Sequence, residues 1–348
     1  MPSAPGTADA NGPAAPVSGT PARVWAPRIR YEQFPGDPAV MARCQLVFCD
    51  RGCSEEELLS AGGDAEALFV TPISVVGASL IRRMPKLRLI HSEGVGFDRI
   101  DLEAARQRGI YVCNNAGCNA IPVAELAVMM MCMLQRRILQ GDRMVRSGLQ
   151  GRQVQILERD IPPDLACASV GLVGFGHIGQ AAAALLRPHG SRVFYAARHS
   201  VGPETEARLG VTRLSLEELT AACDIVSLHL PANAQTRHLV NRDFLARMKP
   251  GSLLINTGRG ALIDDAALCE AIRSGHLGGA GLDCYDPEPA GPDHPLVRLA
   301  AEFPDALVLC PHQGGISRSS FRTAHQMLFS DLRKVMDGEK PDHIVNGL

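Results

Sequence analysis

The chain reads as an α/β protein with two doubly wound parallel-sheet domains, and three observations carry that reading. Short apolar runs alternate with helix-like segments twice, once before residue 120 and again from Ser169. Val170, Leu172 and Val173 lead into Gly174, Gly176 and Gly179, spaced G-x-G-x-x-G, and then into an apolar, alanine-rich helix pattern over 181–186. The 348 residues, 46% apolar and 21% charged, are too many for one average domain and suit two.

Taken in order, residues 1–23 are mostly Pro, Ala, Gly, Ser and Thr and are expected to be a disordered tail. They lack the basic start and apolar core of a signal peptide. From residue 24, strands are expected at 46–48, 67–70, 87–91 and 110–113, with helices at 77–83 and 102–108. A long helical pattern starts near Pro122, a first-turn proline, and runs to about Arg146. Its centre, Leu126 to Leu134, is apolar on every side, which suits a domain junction or a subunit interface. Six strands follow at 170–173, 193–196, 225–228, 252–256, 279–283 and 307–310, as a full dinucleotide-binding domain requires.

Composition narrows the partners. A formal charge of −2 shows no basic excess, so neither nucleic acid nor an acidic membrane surface is implied. No run of 18 apolar residues occurs. Eleven cysteines, an odd number scattered beside apolar neighbours, fit a reduced, cytoplasmic protein. Cys49 and Cys53 are spaced C-x-x-x-C without a second pair or a histidine cluster, so no metal site is expected.

The glycine fingerprint predicts a dinucleotide. One glycine makes the tight turn, one lets the backbone approach a pyrophosphate, and one allows close helix–strand packing; the anion rests on the helix N-terminus. The next strand then ends in Ala196-Ala197-Arg198-His199-Ser200, with no carboxylate to hold a ribose diol. A guanidinium, an imidazole and a hydroxyl stand there instead, so NADP is expected over NAD, with NAD still possible.

Three charged residues fall just after strand ends of the second half, at the sheet edge where α/β proteins bind ligands. Arg259 follows Asn256-Thr257-Gly258, Glu288 lies in Asp283-Cys284-Tyr285-Asp286-Pro287-Glu288-Pro289, and His312 follows Pro311. Any one of them alone would pass as an ordinary surface residue. With these three in place, the sequence resembles the D-isomer-specific 2-hydroxyacid dehydrogenase family over roughly residues 40 to 345. The motifs include Gly94-Val95-Gly96-Phe97-Asp98, Asn119 to Glu125, the fingerprint, Cys223 to Pro231, Asn256 to Gly260, Gly281-Leu282-Asp283, Glu288-Pro289 and Pro311-His312.

The resemblance implies a Rossmann-type cofactor domain, 121–312, inserted in a flavodoxin-like substrate domain made of 24–120 and 313–348. It implies a homodimer with the long helix in the interface. The catalytic residues it implies are His312 as acid/base, Glu288 as its orienting partner and Arg259 as the group binding a small 2-oxo acid. Backbone N–H groups of Gly94, Val95 and Gly96 would hold the substrate carboxylate, and Arg259 and His312 would also bind the substrate. The cofactor would meet the turn Gly174, Gly176, His177, Ile178 and Gly179, then Ala197 and Arg198. Further along it would meet Leu230 and Pro231, the segment Thr257, Gly258 and Arg259, and finally Asp283, His312 and Gly314.

Glu288 stands where formate-oxidising relatives use an amide, and no arginine for a substrate phosphate stands near Thr71. Only some 36 residues follow His312, which leaves no room for the regulatory domains of phosphoglycerate-oxidising relatives. A small unphosphorylated oxo acid such as glyoxylate or hydroxypyruvate is therefore expected. The alternatives are a 3-phosphoglycerate dehydrogenase or a dinucleotide-sensing, non-catalytic scaffold. Glu93, beside the carboxylate loop, is expected to face solvent.

Overall fold

The computed structural model describes residues 20–25, 28–49, 53–60 and 63–348. The chain divides into two compact units, Met1–Ala116 with Arg322–Leu348, and Gly117–Phe321. These limits differ from the 24–120, 313–348 and 121–312 drawn from the sequence. Among the described residues no helix is long and apolar enough to cross a membrane.

The first unit holds a five-stranded parallel sheet. Its strands are β1 (Thr20–Trp25), β2 (Cys44–Phe48), β3 (Ala67–Val70), β4 (Leu89–Ser92) and β5 (Tyr111–Cys113), in the order β2-β1-β3-β4-β5. This is the flavodoxin-like order. Alternation along each strand feeds two cores. Leu68 and Val70 join Leu80, Ile81, Ile90 and Val112 on one face, while Ala67 and Phe69 join Tyr31, Leu328, Phe329 and Leu332 on the other. Part of the expected tail is corrected here: residues 20–23 belong to β1, which pairs with both β2 and β3. Small residues and Pro21 disguise a strand whose place is set by its two neighbours rather than by its own apolar content. Residues 1–19 of that expectation lie outside the described residues.

The second unit holds seven parallel strands. They are β6 (Ser169–Val173), β7 (Arg192–Ala196), β8 (Val211–Arg213), β9 (Ile225–Leu228), β10 (Ser252–Asn256), β11 (Leu277–Leu282) and β12 (Leu307–Leu309). The order β12-β11-β10-β9-β6-β7-β8 reverses direction at β6, between β7 and β9. That switch point is where a doubly wound sheet binds its ligand. The sequence reading missed β8, a three-residue edge strand with a single buried side chain and hence no apolar run.

The long helix is two helices. Ala120–Gln135 ends where Arg137 takes a left-handed φ of 52°, and Ile138–Arg146 starts afresh. Nothing in Gln135-Arg136-Arg137 signals a break, since left-handed backbone favours Gly or Asn. Nor is the first helix buried all round. Ile121 (62% exposed), Glu125 and Met129 (53% exposed) form an outward stripe at i, i+4, i+8.

Candidate active site

The turn after β6 is built by its glycines. Gly174 has φ +92°, and a Cβ on it would stand 2.3 Å from the His229 carbonyl oxygen. A Cβ on Gly179 would stand 2.5 Å from the Gly174 carbonyl oxygen, so the helix His177–Leu186 packs directly on the turn. Gly176 differs: nothing lies within 4 Å of its Cβ position, and it caps the helix without a side-chain hydrogen bond. The first-turn N–H groups have no partner within the helix, and Gly176 places no side chain beside them. That is the cradle a pyrophosphate needs.

At the end of β7, Ala197 is half-buried, while Arg198, His199 and Ser200 are exposed. The Ser200 hydroxyl donates to Glu206 Oε1 at 3.0 Å, as does Tyr195 at 2.5 Å. A second cation, hidden from sequence reasoning because β8 was, joins them. Arg213 donates to the carbonyls of Ala197 (2.9 Å) and Arg198 (3.2 Å).

After β10, Asn256 templates the loop that carries Arg259. Its Oδ1 accepts from Gly258 N (3.0 Å) and its Nδ2 donates to the Arg259 carbonyl (2.9 Å). The Thr257 hydroxyl is buried without a partner, an orphan that a bound cofactor would satisfy. Leu230 is half-buried and Pro231 exposed beyond β9.

After β11 and β12 the charged groups converge. Asp283 is buried and accepts the N–H groups of Gln313 and Gly314, both at 2.8 Å, so it pins the loop that presents His312. Burial raises its carboxyl pKa despite those bonds. Glu288 Oε1 accepts Tyr285 N at 2.9 Å, and its Oε2 lies 2.8 Å from His312 Nδ1. Hydrogen bonds to Cys284 and Glu288 push the His312 pKa up to about 10. Burial raises Glu288, but bonds from His312 and Tyr285 outweigh it and hold the carboxyl below its usual range, helped by the Arg259 charge.

A second histidine stands at this edge. His229 follows β9, with Nδ1 buried and unpartnered and Nε2 3.0 Å from Ser227 Oγ. Desolvation lowers it to about 4, so near neutral pH it is an uncharged ring. His312, not His229, holds the proton.

In the first unit, the loop after β4 has its carbonyls tied inward. Gly94 O accepts Asn115 N at 2.9 Å, Val95 O accepts Asn114 Nδ2 at 2.7 Å, and Gly96 O accepts Ser92 Oγ at 2.6 Å. Among the described residues the N–H groups of Val95 and Gly96 have no protein acceptor, whereas Gly94 N has a long bond to Ser92 Oγ (3.4 Å). The expectation for Glu93 fails. It is buried, 4% exposed, and accepts Arg30 at 2.7 Å and Tyr31 at 2.5 Å. An unpaired buried carboxylate would be costly, and the helix Arg28–Gln33 supplies the partners.

Residues 128–314, within the second unit, match the family model described as D-isomer specific 2-hydroxyacid dehydrogenase, NAD binding domain. A glyoxylate reductase of Aeropyrum pernix is 34% identical over 297 residues, covering 84% of this chain and 86% of the relative. The chain belongs to the D-isomer specific 2-hydroxyacid dehydrogenase family. A D-3-phosphoglycerate dehydrogenase of Mycobacterium leprae is 33% identical over 85% of this chain, which spans only 54% of that longer relative. The crystal structure of the TT0316 protein from Thermus thermophilus matches 93% of this chain and 99% of its own, with a TM-score of 0.79 at 34% identity. This dehydrogenase is thus an oxidoreductase acting on the CH–OH group of 2-hydroxyacids with a nicotinamide dinucleotide.

Proposed function

We propose that this dehydrogenase reduces a small, unphosphorylated 2-oxo acid of the glyoxylate or hydroxypyruvate type, with NADPH preferred. The observation that carries the reading is the His312–Glu288 pair, which keeps a charged imidazole at the sheet edge. When bound at the fingerprint turn, the dinucleotide supplies the hydride. His312 gives the substrate oxygen its proton, with Glu288 fixing the ring through Nδ1 and leaving Nε2 for the transfer. Arg259 binds the 2-oxo acid and steadies the developing alkoxide. The lack of an arginine at Thr71, a buried residue whose hydroxyl pairs with Ser74 at 2.9 Å, speaks against a phosphorylated substrate. Relatives named glyoxylate reductase speak for a small one.

The test is a panel of small 2-oxo acids, with 3-phosphohydroxypyruvate included, assayed with NADPH and NADH. A charge-assisted hydrogen bond from Arg198 is worth about 1.5–3 kcal/mol. NADPH should therefore be preferred by roughly one to two orders of magnitude at low salt. Arg198→Ala should remove most of that preference, and Ala197→Asp should turn it toward NADH. Equal use of both cofactors by the parent enzyme would refute the cofactor assignment.

We further infer a homodimer. Ile121 and Met129 on one helix, with Ile138 and Val145 on the next, are large apolar side chains left at least half exposed. A second copy of the same surface is the economical cover for such a patch. Light scattering should give twice the 37.2 kDa of one chain. A monomer mass at micromolar concentration would refute it.

A further inference from the structure

We propose that Cys284, Glu288 and His312 form an inhibitory zinc site, in which the metal takes the place of the proton on the histidine. One ligand atom from each side chain lies within 4.8 Å of the other two, and no other such group of three is found among the described residues. Tetrahedral zinc, with bonds of 2.0–2.3 Å, holds its ligand atoms roughly 3.5 Å apart, so modest side-chain rotation closes the set. Thiolate, imidazole and carboxylate together suit zinc, whereas magnesium and calcium favour oxygen alone.

Access and chemistry agree with the geometry. The side chains of His312 and Glu288 are 46% and 34% exposed, so an ion can enter from solvent. Cys284 is only 2% exposed, and its thiol donates to the Gly258 carbonyl (3.3 Å). In the reduction described above this thiol touches no reacting group and acts only through its hydrogen bond with His312. On binding, the Cys284 S–H and one His312 N–H bond break, both protons pass to solvent, and the freed lone pairs and the Glu288 carboxylate bind the metal. No oxidation state changes. A fourth position stays open to water. The histidine can then no longer be held as a charged donor by Glu288, so reduction stops; that consequence rests on the function proposed above, while metal binding does not.

The experiment uses the full-length, chelator-treated enzyme titrated with Co²⁺ as a spectroscopic probe and Zn²⁺ as competitor. One equivalent of Co²⁺ should produce a thiolate-to-cobalt charge-transfer band that Zn²⁺ bleaches. The band should vanish in both Cys284→Ala and Cys284→Ser, with circular dichroism confirming the fold. The Zn²⁺ concentration that inhibits reduction should rise by roughly tenfold or more in those variants, since even indirect partners of a metal site change affinity that much. No band in the parent enzyme, or a band that survives both substitutions, overturns the site. A band without inhibition upholds the metal site and overturns its inhibitory role. If the parent enzyme reduces no 2-oxo acid yet shows the band, the site stands and the proposed function falls.

Discussion

Replacing His312 with Asn is expected to cut turnover in the reductive direction by about 100-fold or more, the usual lower scale for losing a general acid. Cofactor affinity should be nearly unchanged, because the fingerprint turn and the Asn256-templated loop do not depend on the imidazole. Asn fills part of the space but has no acidic proton. The partner variant, Glu288→Gln, keeps an oxygen near Nδ1 and removes the charge. Its effect should appear in pH. The folded-state pKa of His312, about 10, lies above the ordinary value near 6.5. In the folded protein the proton is therefore held through neutrality and is lost as pH rises through about 10. Reductive kcat/KM should hold through neutrality and fall toward pH 10, and in Glu288→Gln the fall should come at lower pH. The stability that this pair contributes is fully present below about 6.5 and lost toward 10. Identical pH profiles for the two proteins would show that the carboxylate does not set the proton affinity.

What the sequence reveals of this fold follows from how local each signal is. The fingerprint is local: a strand, a turn that rejects Cβ at Gly174 and Gly179, and a helix are contiguous, and all are found as read. Arg259, Glu288 and His312 were legible because each follows a strand end, although the 2.8 Å bond joining residues 288 and 312 is a product of the sheet order. The misses are long-range. β1 is a strand because β2 and β3 flank it, not because Thr20-Pro21-Ala22 favours one. Arg213 reaches the end of β7 only because the short β8 pairs there, 16 residues further along the chain. Glu93 looks like a surface acid until Arg30 and Tyr31, more than 60 residues away, bury it. Asn256 was written in the motif, but its role as a template needed two hydrogen bonds that only coordinates reveal.

Arg259→Ala should lower kcat/KM for the oxo acid by about 10²–10³-fold, the scale seen on removing one group that stabilises a developing oxyanion. The side chain is half-buried and aimed by its own loop. Its carbonyl is held by Asn256 Nδ2, and its Nη1 donates to the Gly258 carbonyl at 2.8 Å. One of five N–H donors is committed in this way, which fixes the plane of the guanidinium and leaves the remaining donors for a substrate. A planar fork can meet a carboxylate and the neighbouring oxo oxygen together, so both KM and kcat should suffer. Lysine offers a point charge without the fork or the carbonyl anchor geometry, and Arg259→Lys should recover little. Part of the loss in Arg259→Ala comes through Glu288, whose carboxyl pKa is lowered in part by the Arg259 charge. Asn256→Ala separates aim from contact: the guanidinium remains while its loop loses both side-chain bonds, so a smaller loss, partly in KM, is expected. Steady-state kinetics of the three variants decides the matter. Parent-like rates in Arg259→Lys would refute bidentate binding, and a loss in Asn256→Ala equal to that in Arg259→Ala would mean that loop geometry, rather than the guanidinium, carries the effect.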